Sequence, residues 1–436
     1  MSNSIDATFL PEAADAAAQI VPAPPPAQSV RRVFAARISD KSIAIFYVVS
    51  VACFLLLGIA QTLFPIWRFE PLDERREPTV LDDYLTRLAR HDPQLPATLS
   101  GWFDDKFGFR APFIRLYNEM EYRLFNVSAR EYIGENDFLF EKRFFDYEIK
   151  NSRSAPVLER NKELILKHLR NLNDYLARRG IKLVIVPIPS KGDFYREYLP
   201  ISAPRLPERF LPYEVEATLK NWTNIIYVDA NAALRAALDA KTAQAALYYR
   251  SDPHLNFWGA LAIGPAIANS IAADARIGMP PWRKFSDYYR WPFPAGSDQR
   301  FLGLFGSFAE NILVPKNIEF PFADTNLGYW EKDPNFHGLE AMNESSIFEY
   351  TYRTRDTYLS DRLPPVVIYG DSFADHFALA GLQDEFAAVY RSRENNRQLK
   401  EVVDAMPQGI KYFLLIFNEG TIDRFVYPLF DVGPTP

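Results

Sequence analysis

Apolar positions first gather into one unbroken block. From Ser42 to Phe64 the chain reads SIAIFYVVSVACFLLLGIAQTLF, with no charged residue. At about 1.5 Å per residue, a helix of this length crosses a bilayer core of roughly 30 Å. Downstream the pattern becomes periodic. Phe113, Ile114, Leu116, Tyr117, Met120 and Leu124 fall at helical spacing within Ala111–Leu124. The stretch Gly134-Glu135-Asn136-Asp137, followed by Phe138-Leu139-Phe140, predicts a hairpin or a loop leading into a strand. Leu158, Ile165, Leu169, Leu172 and Leu176 share one face of a helix predicted over Ala155–Arg179, with Gly180 as its stop.

Short apolar runs follow at Leu183–Pro189, Asn224–Ala230, Ala246–Arg250, Val366–Tyr369 and Tyr412–Phe417. Some are nearly continuous in apolar residues, as strands buried on both faces of a parallel sheet must be. Helical patterns near Glu214–Asn221, Ala232–Leu238, Phe257–Ala275 and Ala374–Tyr390 separate most of them. This alternation predicts an α/β fold with three layers, α/β/α, and a mostly parallel sheet. Ligands in such folds bind beyond the carboxyl ends of the strands. From Gly278 to about Leu363 the chain is rich in proline and aromatic residues without sustained periodicity. It is expected to form an insertion of loops and short strands, either a small subdomain or a lid.

The N-terminus adds a compartment. Residues Met1 to about Ser29, with PAPPPAQ among them, are too poor in large apolar side chains to offset chain entropy and read as disordered. Arg31, Arg32, Arg37 and Lys41 then precede the apolar block, while FEPLDERREP follows it. That asymmetry places the N-terminus in the cytoplasm, with Trp67 at the far interface and the chain from about Phe69 outside. A cleaved signal peptide is the rival, but its apolar core runs only about 7–15 residues before a small-residue site. The expected divisions are a tail at 1–41, an anchor at 42–64, an extension at 69–150 packed on the main domain, and that domain at 151–436 with its insertion at 278–363.

Composition narrows the possibilities only at the margins. A net charge of −6 over 436 residues offers no basic footprint for nucleic acid. The single cysteine, Cys53, rules out an intrachain disulfide and a cysteine-based metal site. Aromatic content of 15% suits a phenylalanine-rich core, and equally a groove lined with rings for sugar faces.

Chemistry enters at PPVVIYGDSFADHF, Pro364–Phe377. A buried strand breaks at Gly370-Asp371-Ser372 into a helix beginning near Ala374. This geometry exposes a serine hydroxyl and aims backbone N–H groups at an oxyanion, but an Asp-Ser pair at a helix start also serves as a plain N-cap. A nucleophilic serine needs a histidine base oriented by a carboxylate. His376 lies four residues on, with nothing evident to orient it. His254 follows another strand-like run in YYRSDPHLNFWGA, where Asp252 at i−2 can curl back onto the ring. His91, His168 and His337 read as surface or loop residues.

Gly-Asp-Ser-Phe on such a turn, partnered by Asp-X-His, resembles the SGNH hydrolase superfamily. In ordinary members the serine block comes first and an Asp-X-X-His block last. Here the order is reversed, and in this the chain resembles the AlgX/AlgJ-type alginate O-acetyltransferases. GWFDDKFGFRAPFIRLYN, VSAREYIGENDFLF, PIPSKGDFYREYLP and YYRSDPHLNFWGA carry the same resemblance in the same order, so that it extends from about Phe69 to Phe430. The family's Asp-X-His-Trp reads Asp-Pro-His-Leu here, which changes the side chain beside His254.

The resemblance implies an SGNH-like fold with Ser372 as nucleophile, His254 as general base and Asp252 as its orienting acid. Candidates for the oxyanion hole and substrate contacts are the Ser372 N–H, Gly370, Lys191 and Asn256, with Arg250 as a possible carboxylate ligand. No cofactor or metal is implied. The implied activity is a membrane-anchored O-acetyltransferase acting in the periplasm on a polysaccharide. Its acetyl would come from a multi-pass membrane acyltransferase within an exopolysaccharide synthesis and export complex. A carbohydrate acetylesterase of the same fold, or a non-catalytic polysaccharide-binding scaffold, are the alternatives.

Overall fold

The computed structural model describes residues 40–433, apart from 75, 242–245, 279–287, 294–295, 307–309, 316–338, 342–346, 355–361 and 395–396. The chain separates into two compact units, residues 1–60 and 61–436. The uncharged block lies in a helix, Asp40–Leu63, long and apolar enough to cross a membrane. Most of its large apolar side chains are exposed.

In the second unit, β1 (Glu131–Ile133) and β2 (Leu139–Glu141) pair antiparallel around a tight turn at Glu135–Asp137, where Asn136 takes a positive φ. The central sheet follows, with β3 (Lys182–Ile188) and β4 (Ile225–Tyr227) forming one edge. The proline- and aromatic-rich region supplies β5 (Tyr288–Phe293) and β6 (Glu310–Pro315), which form an antiparallel ribbon of their own. It also supplies β7 (Leu339–Ala341) and β8 (Tyr350–Thr354). The chain then returns through β9 (Val366–Gly370), β10 (Ala388–Arg393) and β11 (Tyr412–Asn418). The sheet has seven strands in the order β4-β3-β11-β9-β10-β8-β7. Pairings from β4 to β10 are parallel, and β8 and β7 close the far edge antiparallel.

The apolar strands are buried because both faces are covered. The helix Phe257–Ala275 packs Ile263, Ile267 and Ile271 against Val184, Ile368 and Ile416 in one core cluster. On the opposite face, Leu169 and Leu176 of the helix Ala155–Ala177 and Val215 of Leu211–Leu219 meet Ile185, Val367 and Leu415. Truncating any of these isoleucines to alanine costs about 2–5 kcal/mol. Phe138, Phe140 and Phe145 of the extension join the first cluster, while Ile133 and Leu139 form a smaller cluster with Leu302.

Several expectations need correction. Ala246–Arg250 contributes no strand to the sheet. It makes one bridge, Tyr248 to Leu255, because the Asn256 side chain donates to the carbonyls of Ala246 and Tyr248 and folds the loop on itself. The helix expected over Ala374–Tyr390 is only Phe373–His376, continued by 3-10 turns. Gly381 at φ +81° breaks it, and β10 begins at Ala388. The region 278–363 is more than an insertion beside the sheet, since β7 and β8 complete it. His168 is buried rather than superficial, its Nδ1 2.6 Å from the Phe425 carbonyl. His337 lies outside the described residues.

Candidate active site

The turn after β9 is set by a residue with no side chain. A Cβ on Gly370 would lie 1.7 Å from the Ile416 carbonyl oxygen, so only glycine lets β9 and β11 run this close at their carboxyl ends. Asp371 turns inward and is buried. One carboxylate oxygen accepts the Phe373 N–H at 2.9 Å, and the other accepts the Asn418 N–H at 2.8 Å. Asp371 therefore caps the short helix. Ser372 makes no side-chain cap and presents an exposed hydroxyl. Beneath the turn, the fully buried Arg391 donates to the Asp371 carbonyl at 2.8 Å and to Asp375 at 3.0 Å.

Facing that hydroxyl is His254, delivered from a loop 118 residues earlier. The Ser372 Oγ is 2.7 Å from His254 Nε2, and His254 Nδ1 is 2.5 Å from Asp252 Oδ1. The carboxylate acceptor on Nδ1 fixes that nitrogen as the N–H and leaves Nε2 as the acceptor of the serine proton. Asp252 is held in turn. Its Oδ1 accepts the backbone N–H of His254 at 3.1 Å and its Oδ2 that of Ser297 at 2.9 Å. Burial opposes charging of either partner. The Asp252 charge and hydrogen bond outweigh it and hold His254 above the ordinary imidazole range, while Asp252 is held well below the ordinary carboxylate range.

Side chains that touch neither Ser372 nor His254 shape the loop around Asp252. The Lys191 ammonium donates to the carbonyls of Tyr249, Arg250 and Asp252 and to the Asp298 carboxylate, the last two at 2.8 Å. Burial pushes Asp298 up to about 6 even beside this lysine. Glu310 accepts the backbone N–H groups of Arg250 and Ser251.

These contacts reassign several candidates. Lys191 is committed to four oxygens around the loop and is a support rather than an oxyanion donor. Asn256 caps the helix Phe257–Ala275 with its oxygen and spends its amide on two carbonyls. Gly370 sits in the β9 ladder, and its carbonyl accepts from Arg391 and Glu394. Arg250 lies against the Phe138 ring, 5.8 Å from its centroid. Ser297, Asp298 and Glu310 escaped sequence reasoning because no local motif marks them. They come from the proline- and aromatic-rich region, and only the fold brings them here.

His376 holds no proton-transfer position. Its ring stacks on His254 with centroids 4.6 Å apart and planes 14° apart, while Phe373 lies 4.7 Å away. Burial first, and the charge of His254 second, push His376 down to about 3. An unfolded histidine titrates near 6.5. Below that pH the unfolded chain takes a proton that the folded site refuses, so stability is lost as pH falls from about 6.5 towards 3. Thermal melts should accordingly show a shallower acid-induced fall in Tm for His376→Phe than for the wild type. Equal slopes would mean that His376 is charged in the fold.

Comparison with known proteins adds ancestry to this geometry. A family model described as "SGNH hydrolase-like domain, acetyltransferase AlgX" matches residues 132–292, a segment that includes Asp252 and His254 and ends before Ser372. The probable alginate O-acetylase AlgJ of Pseudomonas putida is 23% identical over 219 residues, 50% of this chain and 54% of that protein. Its counterpart in Pseudomonas aeruginosa is 27% identical over 179 residues, 41% of this chain and 42% of that one. The chain thus spans about half the length of the curated relatives it matches. Among solved structures, the O-acetyltransferase domain of Pseudomonas putida AlgJ aligns with TM-score 0.44 and 16% identity, covering 69% of this chain and 98% of that one. Bacillus cereus PatB1 aligns with TM-score 0.42 and 14% identity, covering 62% and 93%.

Proposed function

From the chain's membership of the AlgX/AlgJ family, we propose that it is an O-acetyltransferase passing acetyl through a serine ester to the hydroxyls of an exopolysaccharide. The observation that carries this reading is the hydrogen-bonded series from Ser372 through His254 to Asp252. As the Ser372 oxygen attacks the acetyl carbonyl carbon, its proton passes to His254 Nε2, and the Asp252 carboxylate stabilises the resulting imidazolium. Collapse of the tetrahedral intermediate expels the donor's leaving group with that proton and leaves acetyl-serine. A sugar hydroxyl then gives its proton to His254, attacks the ester and restores Ser372. We assign the oxyanion to the Ser372 N–H, because the N–H groups of Phe373 and Ala374 are already taken by Asp371.

The helix Asp40–Leu63 is the proposed single-pass anchor in the inner membrane, with the tail at 1–41 in the cytoplasm and residues 69–436 in the periplasm. The extension at 69–150 and the catalytic region at 151–436 then act as one body. A multi-pass membrane acyltransferase is the proposed source of acetyl, within an exopolysaccharide assembly. Purified full-length protein in detergent, given an activated acetyl ester and alginate oligosaccharides, should yield acetylated sugar by mass spectrometry. Acetate release without transfer would make it an esterase. Neither product, with Ser372 unmodified, would leave a binding scaffold.

The pH dependence follows from the sign of the His254 shift. Acylation needs neutral His254, which is held above the ordinary value of about 6.5. The rate should fall as pH drops through a midpoint above that value. Asp252→Asn removes the charge that raises His254 and leaves burial, which lowers it, so this acid limb should move to lower pH. Initial rates of ester cleavage across pH check both; a limb that stays put in Asp252→Asn argues for a different base.

A further inference from the structure

Of the residues at helical spacing, Ile114 is half-buried, and Phe113, Leu116, Tyr117, Met120 and Leu124 form a stripe whose usual fate would be core packing. In the fold it faces solvent. These side chains are 40%, 51%, 61%, 51% and 66% exposed along the helix Arg110–Met120 and the π-helical turn Glu121–Phe125 that continues it. The opposite side is fastened to the protein. Arg115 donates to the Leu304 carbonyl at 2.6 Å, and Asn118 to that of Leu302 at 2.9 Å. The stripe is therefore held outward. A contiguous exposed apolar face of this kind marks a surface that something covers.

What covers it is indicated by what it is attached to. Thr62, in the last turn of the helix Asp40–Leu63, accepts the Gly108 N–H at 2.9 Å, just ahead of the striped helix. Gln61 folds over the same exit, accepting the N–H groups of Ile66 and Trp67 at 3.1 Å and donating to the Trp67 carbonyl. The rings of Trp67 and Phe69 stand 5.9 and 6.0 Å from Phe109, and Phe107 links Phe103 to Phe113. Aromatic rings at the exit of an apolar span settle at the headgroup level. The stripe begins just after Gly108, beside that exit, and amphipathic helices embed one face at that level of a membrane.

The geometry points to a lipid seat: the helix Arg110–Met120 and its π-helical extension lie in the outer interface of the membrane crossed by the helix Asp40–Leu63, and so fix the height of the catalytic unit. This rests on the anchor reading above, and the experiment separates the two. Cys53 is the only cysteine and lies exposed in the apolar helix, so it reports on the anchor directly. On a Cys53→Ser background, Leu116→Cys and Leu124→Cys report on the stripe, and Ile201→Cys, fully exposed, reports on solvent. Each full-length protein carries an environment-sensitive fluorophore and is reconstituted into phosphatidylcholine vesicles containing nitroxide-labelled lipid.

The expected result is a severalfold loss of fluorescence to lipid nitroxide at 53, 116 and 124, with aqueous iodide quenching only 201. Iodide quenching at 116 and 124 with 53 still quenched by lipid keeps the anchor and overturns the seat. Protection of 116 and 124 from both quenchers overturns it in favour of a protein partner or a second copy. Iodide quenching at 53 as well overturns the anchor reading, and the seat with it.

Discussion

Ser372→Ala is expected to lower acetyl release from an activated ester by about 10⁶-fold, with His254→Ala close behind and the double variant no worse than either alone. In the proposed mechanism serine and histidine act as one device. Without the hydroxyl the imidazole has no proton to take, and without the imidazole the hydroxyl is a weak nucleophile at neutral pH. The 2.7 Å contact between them is the basis of that non-additivity. Stability should be little changed by Ser372→Ala, since the helix cap is the Asp371 carboxylate and the serine hydroxyl is exposed. Kinetics and mass spectrometry of the acylated chain, read beside a thermal melt, check each part. A Ser372→Ala protein within tenfold of wild type would move the nucleophile elsewhere.

The same site marks where sequence reasoning stops. Local relations were legible. The Asp252-Pro253-His254 spacing allows a carboxylate to fold back on its ring, and the distances agree with that geometry. Gly370-Asp371-Ser372 read as a turn that could be either cap or nucleophile. The fold separates those roles by giving the cap to Asp371, a choice that depends on the Asn418 N–H from a different strand. Asp298 and Glu310 were invisible because they lie within the 278–363 region while their partners, Lys191 and Arg250, come earlier in the chain.

Pattern alone left one question open and misplaced one boundary. The stripe from Phe113 to Leu124 has the period of a core helix, yet periodicity identifies a face without saying what covers it. The helix expected over Ala374–Tyr390 overlaps the start of β10, which begins at Ala388 and carries Arg391. A fully buried arginine in a strand contradicts the usual sorting of charge, and only a dedicated set of acceptors permits it.

Those acceptors make Arg391 the most consequential structural residue away from the chemistry, and Arg391→Met should lower the unfolding free energy by about 3–5 kcal/mol. Its side chain is 2% exposed. The guanidinium spans Asp375 at 3.0 Å, the Asp371 carbonyl at 2.8 Å and the Gly370 carbonyl at 3.3 Å, and it also donates to the Ser392 carbonyl. Methionine fills much of the volume but leaves the Asp371 carbonyl without this donor and Asp375 facing apolar atoms, with Arg393 at 2.7 Å as its remaining cation. Gly370 and Asp371 immediately precede Ser372, so loosening them disturbs the hydroxyl's approach to His254 as well as the sheet. Arg391→Lys keeps the charge but replaces a planar fork by one point donor, which cannot reach the carboxylate and both carbonyls together. It should fall between wild type and methionine. Chemical denaturation of the three proteins gives the order, and a methionine variant within 1 kcal/mol of wild type would mean that the fork is not what holds the turn.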